Sequence, residues 1–462
     1  MNRVLFVCSV YQFSRETFPV LERFRDNGFE MHVLVGWSGP EAEAYGDRCR
    51  AAGFVVHRPP PELRYGDPHA TPTVDDEGVS SASMPPRSAR TGFGLPLAAF
   101  RQTKRFGRDL VADIDPVLVL GAPYLSCGTF DQAIARATRA ARIPYCCLPV
   151  SAYVGERNAI QARFSHLASG MVSRLNFVRN SLLGRIVARI APSWWREQDG
   201  VAMFLWPPLI MVEAWLTGLL DPNPWQHPSD LYDVCFVESE FSRNLLVGSG
   251  YAPEKVVVVG KPLLDQVRER AGDAEYVAAM FESLRLQPGE PFVLYNVEPS
   301  YEHGYRSLKE HWQRFHEVAG ALKRSGAPVV VSLHPLCNVE NYRFLEDEYG
   351  FRLSEDYMIV ELYPFCGVSV SFPCSTNLVA ATFDKPLVIF DFLGETREDS
   401  PRAPEYRLPG ARFAYTGDEL YGELMSTLAD VAEPAVGGPP QSAPAAQRVV
   451  DEVIVRFDLT HA

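Results

Sequence analysis

Apolar residues fall along this chain in short blocks, separated by stretches in which they recur at helical spacing. Val4 to Cys8 is one such block; after the polar loop Ser9 to Ser14, Phe18, Leu21 and Phe24 mark one face of a helix. Asn27-Gly28 stops that helix, and Met31 to Val35 is the next block. Strand, helix and strand within about 35 residues make a Rossmann-like opening, although no Gly-x-Gly-x-x-Gly loop is present. The same reading predicts strands at Phe54 to His57, Val117 to Leu120 and Pro144 to Val150, and helices at Leu97 to Ala112 and Asp131 to Ala141. Residues 66 to 95, rich in Pro, Ser, Gly and Asp, read as a surface loop.

The alternation resumes with strands at Tyr232 to Glu238 and Lys255 to Gly260, a helix opening at Ser239-Glu240, and a polar helical connection over 268 to 290. A second series then predicts strands at Phe292 to Asn296, Val329 to Leu333, Met358 to Val360, Val368 to Ser371 and Leu387 to Phe390, with a helix at Ser307 to Ser325. Residues 431 to 447 have linker composition, and Arg448 to Phe457 reads as a helix crossing back onto the first domain. The expected fold is α/β, with two Rossmann-like domains facing a central cleft. The first is expected over residues 1–265 with an insertion at 157–225 and the second over residues 275–430, with residues 431–462 as linker and terminal helix. In such sheets ligands bind outside the carboxyl ends of the strands. That places His334-Pro335, then Ser375-Thr376-Asn377 at the opening of a helix, on the candidate edge of the second sheet.

Composition narrows the function. A length of 462 residues suggests two or three domains by the rough 150-residue rule. A net charge of -13 disfavours nucleic acid as a partner. The nine cysteines form no Cys-x-x-Cys pair and read as reduced thiols of a cytoplasmic protein, an expectation that the immediate entry into an apolar strand supports. Against the acidic background, Arg157 to Arg196 holds seven arginines and no acid. Arg174, Arg179, Arg185 and Arg189 alternate there with aliphatic residues, and Trp194-Trp195 close the stretch. An apolar run, Val201 to Leu220, follows, interrupted by Pro207-Pro208 and Glu213. This predicts contact with an anionic membrane surface or a lipid-linked acceptor, peripheral on the inner face of the membrane; a buried insertion or a homodimer interface is the competing reading.

Phe236-Val-Glu-Ser-Glu-Phe-Ser-Arg243 with Gly250, Gly260-Lys261-Pro262, His334-Pro335, Ser375-Thr376 and Lys385-Pro386 together resemble the GT-B superfamily of nucleotide-sugar enzymes. The pattern is similar to surface-polysaccharide glycosyltransferases, CDP-glycerol glycerophosphotransferases and non-hydrolysing UDP-N-acetylglucosamine 2-epimerases. The resemblance implies a GT-B-like fold, with residues 1–265 as the acceptor domain and residues 275–430 as the donor domain, and a nucleotide-sugar or CDP/CMP-linked donor with His334, Pro335, Ser375 and Thr376 at its nucleotide and phosphate. Side-chain hydroxyls and free N–H groups at a helix start suit an anion, which extends the set to Asn377. Where relatives carry a ribose-binding glutamate this chain has Val379-Ala380, so Glu361, Asp391 or Glu395 must supply that contact.

The epimerases also carry a His-x-Glu-Ala-Gly motif where this chain reads Ser151-Ala-Tyr-Val-Gly155-Glu156-Arg157, which disfavours epimerisation. Asp75-Asp76-Glu77-Gly78 resembles an acidic-Gly motif of bacterial sialyltransferases but lacks an apolar strand before it. A transferase needs a base for the acceptor hydroxyl. Glu156, after a strand end, and His303, in the loop after the strand at 292, are the catalytic candidates, and Glu298 in the same loop is a donor contact. No His, Cys and acid cluster has metal-ligand spacing, no Gly-x-Ser-x-Gly elbow occurs, and no cofactor is expected. The expected activity is metal-independent transfer from a nucleotide-activated donor, with epimerase or hydrolase action and a non-catalytic binding module as alternatives.

Overall fold

The computed structural model describes the chain apart from residues 1, 10, 65–73, 76–77, 80–94, 122–129, 150–159, 161–181, 199–200, 226–230, 303–305, 335–336, 375, 401–402, 431–442 and 460–462. Glu156, Arg174, Arg179, His303, Pro335 and Ser375 lie outside the described residues. Two compact units are present: Met1–Leu263 with Ala443–Ala462, and Leu264–Ser442.

The first unit begins with β1 (Arg3–Cys8), α1 (Tyr11–Asp26), β2 (Glu30–Val35), α2 (Pro40–Ala51) and β3 (Val55–His57). A two-residue hairpin, β4 (Val74–Asp75) and β5 (Gly78–Val79), precedes α3 (Leu95–Ile114), β6 (Leu118–Gly121), α4 (Phe130–Ala141) and β7 (Tyr145–Cys147). An insertion follows with α5 (Leu182–Ile190), β8 (Trp195–Gln198), β9 (Val201–Phe204) and α6 (Pro208–Thr217), after which β10 (Val234–Val237), α7 (Glu240–Gly248) and β11 (Val256–Val258) complete the series. Seven strands form one parallel sheet in the order β11-β10-β7-β6-β1-β2-β3. Helices cover both faces of such a sheet, which is why β1 and β10 read as continuous apolar blocks rather than alternating ones. Gly28, at φ +87°, ends α1 in a conformation that costs a side chain energy, and Asn27 Nδ2 donates to the Arg23 carbonyl at 2.8 Å.

The second unit runs α8 (Pro262–Ala271), α9 (Ala274–Ser283), β12 (Val293–Asn296), α10 (Leu308–Arg324), β13 (Val329–Ser332), β14 (Arg352–Ser354), α11 (Ile359–Leu362), β15 (Val368–Ser371), α12 (Asn377–Thr382), β16 (Leu387–Phe390), α13 (Ala403–Tyr406), β17 (Arg412–Ala414) and α14 (Gly417–Asp430). Its parallel sheet has the order β14-β13-β12-β15-β16-β17. The last helix, α15 (Ala445–Phe457), belongs to the first unit, where Val449, Val450 and Val453 enter the core and the helix packs on α1.

Two expectations are corrected. The strand expected at Met358 to Val360 is the helical turn α11, because Glu361 caps the Met358 N–H at 2.9 Å and is itself held by Arg270 and Tyr276. A three-residue apolar run has too little periodicity to separate the two forms. The neighbouring strand is β14, whose arginine-led sequence shows no apolar block. The run Val201 to Leu220 is mostly core: Phe204, Trp206, Met211, Ala214 and Leu219 pack with Phe100 of α3 and with Trp225 beyond the run. Trp194, expected at a membrane, is 6% exposed in this cluster, and its carbonyl accepts the Trp225 indole N–H at 3.0 Å. Trp195 is half-buried.

Candidate functional site

In the second unit β12 is laid down first, β13 and β14 add on one side, and β15, β16 and β17 add on the other. The switch in direction falls between β12 and β15, where parallel sheets open a crevice at their carboxyl ends. The last residues of these strands, Asn296 and Ser371, are buried polar groups. Asn296 Nδ2 donates to Ser371 Oγ at 3.1 Å, and Ser371 Oγ donates to the Phe372 carbonyl at 3.2 Å. A cavity of about 20 Å³, room for one water, lies here against Asn296, Glu298, His311, Arg314, Ser371 and Phe390.

Helix α10 builds the other wall. Ser307 and Glu310 cap its start reciprocally, which fixes the helix at the end that carries His311 and Arg314. His311 is 3% exposed, with Ser300 Oγ 3.1 Å from Nδ1 and Tyr342 Oη 2.9 Å from Nε2. Tyr342 donates to Glu302 at 2.7 Å, so its oxygen takes the proton of Nε2, and Nδ1 accepts from Ser300. Burial lowers the pKa of this imidazole, which keeps it neutral within the chain of hydrogen bonds.

Arg314 is the unusual member. Its guanidinium lies 3.3 Å from the centroid of the Phe392 ring, and Nη1 is buried without a hydrogen-bond partner. Burial, with Arg306 adding repulsion, pushes its pKa down to about 10. Burial raises the pKa of Glu298, opposed by Arg314 and Arg306. A cation with an unused N–H at a strand switch point is suited to an anionic ligand. Glu298 and the half-buried Glu395, which lie within electrostatic reach of each other, supply acceptors for hydroxyl groups. On a neighbouring face of α10, a groove of about 470 Å³ is lined by Tyr301, Trp312, His316, Asn341 and Phe344.

The sequence-derived candidates divide. Glu298 lines the switch-point cavity, and His334 is half-buried two residues beyond β13, with its carbonyl accepting from Cys337 N–H at 2.8 Å. Thr376 makes no side-chain cap, and α12 is only six residues long. Asn377 does not offer its amide outward: it is 1% exposed and donates to the Phe372 carbonyl at 2.8 Å. Its N–H is bonded to the Cys374 carbonyl, so the expected ring of free donors is reduced. Two of the three acids expected at a ribose are committed elsewhere. Glu361 holds Arg270 at 2.5 Å and Tyr276 at 2.9 Å, and Asp391 accepts from Thr396 Oγ1 at 2.7 Å and Leu393 N–H at 3.1 Å. Asn296, Ser371 and Arg314 were not anticipated as site residues; Arg314 carried a signal, since it lies three residues after His311 on one helical face.

The first unit has its own switch point between β1 and β6. Ser9, just beyond β1, is fully buried with an unpartnered Oγ. A Cβ on Gly121, the last residue of β6, would collide with the hydroxyl end of Tyr145. Glu16 and Lys261 form an ion pair at 3.2 Å, both largely shielded from water, and the buried Asp131 lies within electrostatic reach of Cys8 and Tyr145. Burial raises the Glu16 pKa, Lys261 opposes the shift, and Glu16 Oε2 has no hydrogen-bond partner. Arg185 and Arg189 are exposed on α5.

No family model and no curated protein sequence matches this chain. Solved structures do. The chain is similar to the UDP-GlcNAc 2-epimerase of Methanocaldococcus jannaschii, at TM-score 0.53 and 11% identity over 98% of this chain and 99% of that one. It is similar to the UDP-GlcNAc 2-epimerase of Neisseria meningitidis, solved with UDP-GlcNAc bound, at TM-score 0.53 and 12% identity over 98% and 100%. The S. aureus MnaA–UDP structure matches at TM-score 0.52 and 11% identity over 100% and 98%. Identities this low establish the fold alone: the chain is α/β, built of Rossmann-like parallel sheets, and of the GT-B type.

Proposed function

We propose that this GT-B chain is a transferase that takes a group from a nucleotide-activated donor and delivers it to a hydroxyl acceptor in surface-polysaccharide or lipid-linked glycan synthesis, on the cytoplasmic side of the membrane. The observation that carries the reading is the second unit's switch point, where Arg314 presents an unpartnered, buried N–H beside the Asn296–Ser371 pair. In this reading Arg314 takes negative charge as it builds on the departing nucleotide phosphate, an interaction stronger in the transition state than before it. Glu298, with Glu395, accepts hydrogen bonds from the ribose in place of the glutamate absent at Val379-Ala380. His334, Pro335, Ser375 and Thr376 complete the donor contacts, and Glu156 or His303 removes the acceptor proton as its oxygen attacks.

A thermal-shift panel of UDP, CDP, CMP and GDP tests the donor site. One of these nucleotides should stabilise the protein, by about 2.7 kcal/mol at a hundredfold excess over its Kd. Arg314→Ala and Ser371→Ala should each reduce the response. The neighbours' activity supports a second reading, isomerisation or hydrolysis of the nucleotide sugar itself, since structures named as UDP-GlcNAc 2-epimerases align over nearly the whole chain. Product formed from donor alone, without acceptor, would select that second reading. A chain that responds to no nucleotide would overturn both and leave a binding module.

A further inference from the structure

Helix α5 presents to solvent a face that ordinary surface helices do not have. Gly184, Val187 and Ala188 are buried against α6. The opposite side holds Leu182, Leu183, Ile186 and Ile190, which are 79%, 41%, 49% and 77% exposed. At 100° per residue these four aliphatic side chains occupy one arc of about 100°, and the exposed Arg185 and Arg189 occupy the arc beside it. Exposed apolar side chains occur on the neighbouring helix as well. Trp215 of α6, 58% exposed, meets Trp194 edge-on at 6.4 Å, and Leu216 is 62% exposed. A helix with one face in a core normally turns polar residues to water; α5 turns aliphatic residues and cations to it.

We propose that this face of α5, with Trp215 and Leu216, docks the protein on an anionic lipid bilayer, with the aliphatic arc entering the headgroup boundary and Arg185 and Arg189 meeting lipid phosphates. Charge complementarity decides the occupant. The helix carries two cations and no acid, in a chain of net charge -13, so a negatively charged surface is attracted here and repelled elsewhere. A second copy of the same face would bring arginines against arginines. Aliphatic side chains beside cations, with an indole at the edge, are what an interfacial element requires. Among the described residues no helix is long and apolar enough to cross a membrane, so the contact is with one leaflet. This inference deepens the transferase reading by bringing the chain to the surface where a lipid-linked acceptor resides.

Co-sedimentation of the full chain with phosphatidylcholine vesicles, and with vesicles that also contain phosphatidylglycerol, tests it. Wild type should pellet with the anionic vesicles only, and added salt should release it. Ile186→Glu with Ile190→Glu should abolish binding. Arg185→Gln with Arg189→Gln should weaken it about thirtyfold, roughly fivefold for each arginine. All four side chains are exposed, so the melting temperature should be unchanged; Leu182→Gln, at the helix start, is the reserve variant. Wild type that ignores both vesicle types, or variants that bind like wild type, would overturn the proposal. So would light scattering that shows a dimer split by Ile186→Glu, which would make the face a self-interface. The nucleotide-induced thermal shift, measured on the same variants, reports on the donor site independently, so failure of docking and failure of the transferase reading are distinguished.

Discussion

The two sheets share the strand order around their first-laid strand, yet their carboxyl edges differ in chemistry. In the second unit the switch point ends in Asn296 and Ser371, with Arg314 above them holding a buried N–H that nothing satisfies. In the first unit the corresponding strands end in Cys8 and Gly121, and Tyr145 fills the space a side chain at 121 would need. Among the described residues, Glu16 and Lys261 pair at 3.2 Å in this unit, and the buried Asp131 lies within electrostatic reach of Cys8 and Tyr145. A common scaffold therefore carries a cation with an unpartnered N–H at one edge and, at the other, a tyrosine packed where a side chain at 121 would stand, beside the unpartnered oxygens of Ser9 and Glu16. Topology marks where a ligand could bind in both; the side chains give the two edges opposite chemistry.

The comparison can be broken most forcefully at Lys261. Lys261→Met leaves the Glu16 carboxylate shielded and alone, and should lower the stability of the first unit by about 3–5 kcal/mol in chemical denaturation. The pH dependence has a definite sign. Because the folded pKa of Glu16 is already raised, its contribution is intact below the ordinary glutamate range and is lost as pH rises through the folded value. The loss in the variant should therefore deepen from acidic to neutral pH, while the nucleotide response of the second unit persists. Arg314→Ala should do the reverse. Losing a charge-assisted donor should weaken nucleotide binding by about 1.5–3 kcal/mol in calorimetric titration, with little change in stability without ligand.

Gly121→Ala tests whether the first unit's edge is closed by packing. The new methyl must displace Tyr145, and a loss of about 1–3 kcal/mol in urea unfolding is expected. The smallest effect is expected from His57→Gln. His32 Nδ1 and His57 Nε2 are 2.9 Å apart, and burial lowers both pKa values, with His32 adding to the shift at His57. Groups depressed in this way stabilise the fold above the unfolded histidine pKa of about 6.5 and lose that contribution as pH falls. The variant's stability should fall less steeply than wild type's below that pH, by melts at a series of pH values.

Much of the fold was legible because parallel strands buried on both faces leave unbroken apolar blocks. Val368 to Ser371 and Leu387 to Phe390 were read with the bounds they have. Strands led by arginine, β14 and β17, were not, since they carry polar residues and their pairing is decided by neighbours far along the chain. The candidate site was legible only in outline. Glu298 could be placed by its distance from a strand end, but Asn296 and Ser371 look like any polar strand terminus until the sheet order makes them neighbours. Asn377 shows the opposite failure: an apparent ligand donor whose amide closes its own turn. The apolar run 201 to 220 left a membrane face and a buried insertion open because composition reports that a segment avoids water and not what it packs against; Phe100, a hundred residues earlier, packs with the part that is buried.

The return of α15 to the first unit carries a consequence for how this chain is made. The core built from Val4 to Val259 lacks Val449, Val450 and Val453 until a segment about 200 residues further on has been synthesised. At roughly 5–20 residues per second, the ribosome delivers that segment some 10 to 40 seconds after β11, with the whole second unit emerging in between. Synthesis order and completion order are thus inverted: the later unit can finish while the earlier one waits with an open flank beside α1. That interval is where a chaperone would have most to shield, and where a ribosome stalled before residue 445 would leave a finished second unit attached to an unfinished first one.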